Sequence, residues 1–320
     1  MTLLRDLGRA VRAALSHPPG DGSPPAPLEL SGMVLDPPRL RACAVVEHPE
    51  IRAVAVDGEP VAAFAAFLDG VQQSHVVDYA GTIPIVAGRT AAVIRSRVER
   101  RMTTWNDGAV SQARLYAPLQ RLDPELVKAL TAADLPLRDT LAPAEELSDH
   151  PMELLRRAVD AVKRDRERLE ADLAERWAAG PEGPLFVDGG LPPGPRASTS
   201  PMCVGVVKSH HTIYAPPDGL ARVLALAEGE RSSAFLVERT WGPRVASWYL
   251  RLREPPSHDP FLGLVRVEVA ADGVDAGRRA DEVSRWILAE RAPLALPDAR
   301  WDRMVYGIRD CEEYLRARGG

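Results

Sequence analysis

An α/β fold, one mixed sheet with helices packed on it, is what this sequence predicts, and three observations predict it. Apolar runs of strand length follow one another from Val61, divided by Gly, Pro and polar breaks; a long helical pattern over residues 151 to 179 interrupts them; shorter strand and helix patterns then alternate to the C-terminus. The 320 residues are 45% hydrophobic and 27% charged, which is enough apolar material for a sizeable core and too much for a disordered chain.

Taken in order, Leu3, Leu4, Leu7, Val11 and Leu15 recur at helical spacing, so residues 2 to 16 are expected to form an amphipathic helix. The stretch HPPGDGSPPAP, residues 17 to 27, breaks it with the composition of a linker. Residues 1 to 30 therefore stand apart from a single domain over 31 to 320. A helix beyond a linker is a candidate docking element for another chain, the alternative being that it folds back on its own core. VAAFAAFLDG, VQQSHVVDYA and IPIVAGRTAAVIRSR predict three neighbouring antiparallel strands. Residues 105 to 146 are mixed, with a short helix around PELVKALTAA.

The long helix is entered through Ser148, Asp149 and His150 and ends at Gly180-Pro181. PLFVDGG follows as a short buried-type strand, then the loop LPPGPRASTSP and the strand MCVGVVK. Beyond it come a helix at DGLARVLALAEG, strands at SSAFLVE, RVASWYLRL and FLGLVRVEV, and helices at GRRADEVSRWILAER and RDCEEYLRAR. Three strands, a helix and a strand in this succession are the order of an RNase H-like core. The expected architecture is an RNase H-like mixed sheet with flanking helices and insertions.

Lys and Arg number 40 against 45 Asp and Glu, a net charge of −5, so no global basic character announces a nucleic-acid partner. A metal-dependent enzyme must nonetheless commit carboxylates to its cations, and its basic residues can be confined to one groove. Cys43, Cys203 and Cys311 are odd in number and far apart, which predicts reduced thiols in a cytoplasmic protein. MTLLRDLGRAVRAALSH lacks the continuous apolar stretch of a signal peptide, and no apolar run approaches the roughly 18 residues that span a bilayer.

The chemistry is written in two similar phrases, FLDG around Asp69 and FVDGGL around Asp188. Each apolar run is expected to deliver a carboxylate at a strand end with glycine beside it. A two-metal phosphodiester hydrolase needs that: a rigid backbone under the carboxylate and no side chain obstructing the phosphate. Asp-Gly is also a common turn dipeptide. Asp165, Glu167 and Glu170 lie on the long helix between the phrases, and a helix carboxylate could complete the site or belong to a solvated face laced with Arg and Glu. In VGVVKSHHTIY a buried-type strand ends at Lys208, which could hold a phosphate, followed by Ser209, His210 and His211. Adjacent histidines on an extended chain point apart and make a poor zinc motif. Arg239, Arg244, Arg251 and Arg253 interleave with Trp241, Trp248 and Tyr249 as in a strand-tracking groove, or as in an ordinary core strand. RSRVERR, residues 95 to 101, is a second basic cluster.

FLDG, FVDGGL and GVVKSHHTIY, taken in that order, resemble the NurA family of DNA end-processing nucleases, and the resemblance runs from about Val61 to the C-terminus. It implies an RNase H-like fold, Mn²⁺- or Mg²⁺-dependent exonuclease and endonuclease activity on DNA in repair, homodimerisation, and a hexameric ATPase partner of the HerA type. It carries the first-strand aspartate to Asp69, the helix glutamate to Glu170, the second aspartate to Asp188 and the lysine to Lys208. Val71 and Gly190 depart from the small residue and the serine common at those positions, and Asp302 in PDARWDRMVYG stands where the family often has histidine. The expected metal ligands are thus Asp69, Glu170 and Asp188, with Asp302 as a fourth. The rival reading is a non-catalytic scaffold of the same fold that binds DNA or the ATPase. An Asp-nucleophile phosphohydrolase would want Asp-x-Asp, and here Asp69 is followed by Gly70 and Val71.

Overall fold

A computed structural model describes residues 37–106, 108–141, 149–180, 182–239, 242–254, 259–271, 275–291 and 303–319, with residues 7, 8, 10, 11, 13 and 14 near the N-terminus. Seven strands form the middle of its large sheet: β1 (Ala66–Ala80), β2 (Ile83–Val98), β3 (Val110–Ala117), β4 (Leu185–Asp188), β5 (Cys203–Val207), β6 (Val245–Arg251) and β7 (Leu264–Ala270). Their spatial order is β6-β7-β5-β4-β1-β2-β3. β1 pairs antiparallel with β2, and β2 with β3, whereas β4 joins β1 and β5 in parallel. The order β3-β2-β1-β4-β5 with these directions is the RNase H-like core that the sequence predicts, and β7 and β6 extend it antiparallel beyond β5.

Among the helices that cover the sheet are α1 (Pro151–Ala178), α2 (Ala276–Glu290) and α3 (Tyr306–Gly319). Pro151 at the first turn costs α1 no hydrogen bond, and His150 Nδ1 accepts the Met152 N–H at 3.2 Å as its cap. Successive strand residues point to opposite faces, so the two faces of β1 and β4 sort into different cores. Phe67 and Phe186 pack with Val283 and Ile287 of α2 and Ile308, Cys311 and Leu315 of α3. Leu68, Leu185 and Val187 pack with Leu173 and Trp177 of α1.

The expected strands VAAFAAFLDG and VQQSHVVDYA are one. β1 runs through Gly70 without a break, 15 residues long, and only a register shift between Val76 and Asp78 marks its length. Gly70 does not interrupt the strand because a missing side chain, rather than a turn, is what that position supplies. Asp69 accordingly lies inside a strand and not at its end. Asp188 does end β4, and Gly189 follows it in the left-handed region at φ 132°. The turn then folds against β5, where a Cβ on Gly205 would lie 2.7 Å from Gly190 C and 2.9 Å from Gly189 O, besides meeting the Leu191 nitrogen.

Leu7 and Val11 of the N-terminal segment are buried with Val77, Ile85 and Leu115, so these residues fold back on the chain's own core. The linker over residues 17 to 27 lies outside the described residues. Among the described residues, no helix is long and apolar enough to cross a membrane. The three cysteines are free thiols, as expected.

Because the atoms facing Gly205 are backbone and cannot rotate away, Gly205→Ala should destabilise the protein by about 1–3 kcal/mol or more. Urea unfolding followed by circular dichroism measures this; a midpoint equal to wild type would show that the turn after Asp188 is not pinned to β5.

Candidate metal centre

The parallel pairing of β1 with β4 ends at Leu68 opposite Val187. The next residues in register are Asp69 and Asp188, so the sheet itself sets the two aspartates abreast. Both alternate onto the α3 face, where Phe67 and Phe186 lead. A third carboxylate descends from the helix above: Glu312, on the same stripe of α3 as Ile308, Cys311 and Leu315. One oxygen from each of Asp69, Asp188 and Glu312 lies within 4.8 Å of the others. Lys208, just past β5 on the same face, donates to Asp188 Oδ2 at 2.8 Å, and its own carbonyl accepts from Arg303 Nη1 at 3.1 Å.

Electrostatics within the group are unfavourable as they stand. Asp69 is only 5% exposed. Burial pushes its carboxyl well above the usual carboxylate range, Asp188 adds to this, Lys208 opposes it, and Glu170 and Glu312 raise it further. A cation between the carboxylates would relieve both the desolvation and the repulsion. The donor set is all hard oxygen, from three separate elements, which suits Mg²⁺ or Mn²⁺ and not a thiolate-preferring metal.

Glu170 reaches the centre from the opposite face. It hangs from α1 beside Gly70, where a Cβ would collide with its Oε1 and lie 3.1 Å from the carbonyl of Ala91. Arg166, one turn earlier, holds that Oε1 in an ion pair, and burial pushes the Glu170 carboxyl up to about 7. Glu170 is thus adjacent to the group of three rather than part of it. Of the other helix acids, Asp165 is 1% exposed and is held by Arg114 at 2.8 Å and Tyr116 Oη at 2.9 Å, a structural lock between α1 and β3. Glu167 is exposed beside Lys163 and Arg166.

The structure decides several readings that the sequence left open. Trp248 and Tyr249 are core residues, and Arg251 is buried with its guanidinium on the carbonyls of Leu224, Leu226 and Pro260. Within RSRVERR, Arg95 binds Asp310 of α3, and Arg97 binds Glu290 of α2 at 2.6 Å, so these arginines fasten helices to β2. His210 stacks on Phe261, while His211 is exposed. Asp302 and Trp241 lie outside the described residues. Glu312 is the residue that motif reasoning missed. The signal was available: 308, 311, 312 and 315 share one helical face, and a glutamate on an otherwise apolar stripe is expensive unless it has work to do.

No protein-family model matches the chain, and no curated protein matches it either. Among solved structures, one match is the crystal structure of the NurA nuclease from Sulfolobus solfataricus. The two share 11% identity at a TM-score of 0.44, over 87% of this chain and 85% of that one.

If the three carboxylates form a cation site, Mn²⁺ should raise the melting temperature. A ligand at about a hundred times its Kd adds about 2.7 kcal/mol to the folded state. Asp69→Asn and Glu312→Gln should lose that increment. Asp165→Asn should melt earlier and keep it. An increment of wild-type size in both Asp69→Asn and Glu312→Gln would place the cation elsewhere.

Proposed function

We propose that the chain is a divalent-metal-dependent nuclease that hydrolyses phosphodiester bonds at DNA ends. The observation that carries this reading is the convergence of Asp69, Asp188 and Glu312, from two parallel strands and a covering helix, on one point with Lys208 beside it. The residue resemblance to NurA nucleases supports the same conclusion from the sequence.

Asp69, Asp188 and Glu312 would hold the cation. When bound, Mg²⁺ or Mn²⁺ supplies the positive charge that develops a nucleophile from water and polarises the phosphoryl group for in-line attack. Lys208 places an ammonium where negative charge accumulates on the phosphate, and its ion pair with Asp188 keeps it there before substrate arrives. Arg303 fixes the strand end that presents it. Glu170, held by Arg166 across Gly70, adds a further carboxylate at the edge of the centre, and Asp302 remains a proposed fourth ligand.

In keeping with the resemblance, the proposed setting is DNA repair in the cytoplasm, as a homodimer working with a hexameric ATPase of the HerA type. Leu7 and Val11 are occupied by this chain's own core, so the ring contact is assigned to a surface other than theirs.

On end-labelled DNA, cleavage should require Mn²⁺ or Mg²⁺ and stop in EDTA. Asp69→Asn and Asp188→Asn should abolish it while remaining folded. Lys208→Ala should slow it about ten- to a hundredfold, a loss of about 1.4–3 kcal/mol of transition-state stabilisation. Pure protein that binds DNA yet cuts it with neither metal would establish the non-catalytic scaffold instead.

A further inference from the structure

Asp165 holds α1 to β3, and more positive charge gathers on it than one carboxylate can match. Arg114 Nη1 donates to its Oδ2 at 2.8 Å, and the Tyr116 hydroxyl donates to the same oxygen at 2.9 Å. At Oδ1, Arg168 Nη1 stands at 3.3 Å and Arg138 Nε at 3.9 Å, the latter beyond hydrogen-bond reach. Strand register explains the convergence. Arg114 lies two residues before Tyr116 on β3, and Arg138, in the short strand Leu137–Asp139, is the parallel partner of Tyr116. All three therefore share the face that α1 covers.

Three guanidiniums against one carboxylate leave an excess of two positive charges. Among the described residues, no second carboxylate comes within 4.0 Å of Arg114, Arg138 or Arg168. Each guanidinium presents a planar fork of N–H donors, whereas Asp165 offers two oxygens, one of them already taken by Arg114 and Tyr116. Burial then sorts the cluster into an inner and an outer side. The Asp165 side chain is 1% exposed, but those of Arg114, Arg138 and Arg168 are 33%, 37% and 60% exposed. The donors left over are on the solvent side. Cations drawn from three elements onto one point suit a compact oxyanion with several acceptor oxygens rather than an extended polyanion.

We propose that Arg114, Arg138 and Arg168 form a site for a phosphate dianion, as inorganic phosphate or as the phosphomonoester of a mononucleotide. Bound there, it ties Arg168 of α1 to Arg114 and Arg138 at the edge of the sheet. The cluster is distinct from the metal centre. Asp165 precedes Glu170 by five residues, roughly 7.5 Å of helix rise, and Asp69, Asp188 and Glu312 meet on the opposite face of the sheet. The inference goes beyond the nuclease reading and does not depend on it.

Isothermal titration calorimetry on the full chain tests this, with sodium phosphate, dTMP and thymidine as separate titrants at constant ionic strength. EDTA in the buffer keeps metal-bridged phosphate out of the reading. Phosphate should bind once per chain, and R138A/R168A should weaken it about tenfold or more through the loss of two charge-assisted contacts. R138K/R168K should recover part of the affinity. The melting temperature gives a second readout. Phosphate stabilises folded proteins in general, and that part is common to wild type and variant; an occupied site adds a further increment in wild type alone. If the double variant does not fold, R168A, at the most exposed of the three positions, carries the same comparison. Binding of dTMP without binding of thymidine would extend the site to nucleotides, and binding of inorganic phosphate alone would confine it to the free ion. No binding of either phosphate by folded wild type overturns the inference, as does an affinity unchanged in whichever variant folds.

Discussion

The parallel register between β1 and β4 is the constraint on which the rest of the site depends. Leu68 pairs with Val187 and nothing pairs beyond them, so Asp69 and Asp188 emerge side by side where the two strands part. A one-residue slip would turn either aspartate to the α1 face and place an apolar side chain in the centre. The register is held from both sides by cores that cannot tolerate such a slip. Phe67 and Phe186 fill the layer beneath α2 and α3, and Leu68 and Val187 the layer beneath α1. Hydrophobic alternation thereby sets the geometry of a polar site.

Around this pair the chain tolerates a local concentration of negative charge that folding alone would not favour. The supporting contacts keep each group where it is. Glu268 accepts the Leu191 N–H at 2.8 Å and so steadies the turn after Asp188, Arg303 secures the carbonyl of Lys208, and Arg166 secures Glu170. Arginines elsewhere close the structure: Arg95 and Arg97 tie β2 to α3 and α2, and the former sits two residues from the Glu312 face through Asp310. The C-terminal helix is therefore part of the centre, bringing one carboxylate and fastening its own position beside it.

Much of this was legible in the sequence. FLDG, FVDGGL and VVK placed Asp69, Asp188 and Lys208 on three apolar runs, and the succession of strands and the long helix predicted the fold class, although the third core strand, β3, lies in the stretch that the sequence left as mixed. The limits lie in the double meaning of glycine. Gly70 reads as a break, yet β1 continues through it, because the glycine is there to admit Glu170 from α1. A local pattern does not reveal which of three helix acids faces that gap; packing decides it, sending Asp165 to Arg114 and Tyr116 instead. Glu312 belongs to no motif, whereas PDARWD points to Asp302, although the apolar stripe of α3 already marks a glutamate on its buried face. The interleaved Arg and aromatic residues of β6 are likewise ambiguous in one dimension. On a strand buried on both faces, aromatics fill the core and Arg251 turns inward to carbonyls.

The central claim is that Asp69, Asp188 and Glu312 hold a divalent cation, and anomalous diffraction from crystals grown with Mn²⁺ tests it most directly. A peak should appear between the three carboxylates with oxygens from each at about 2.0–2.6 Å, the range of hard cations on oxygen ligands. A fully occupied peak ligated without Glu312 and Asp69, or none there at saturating Mn²⁺, would contradict the account.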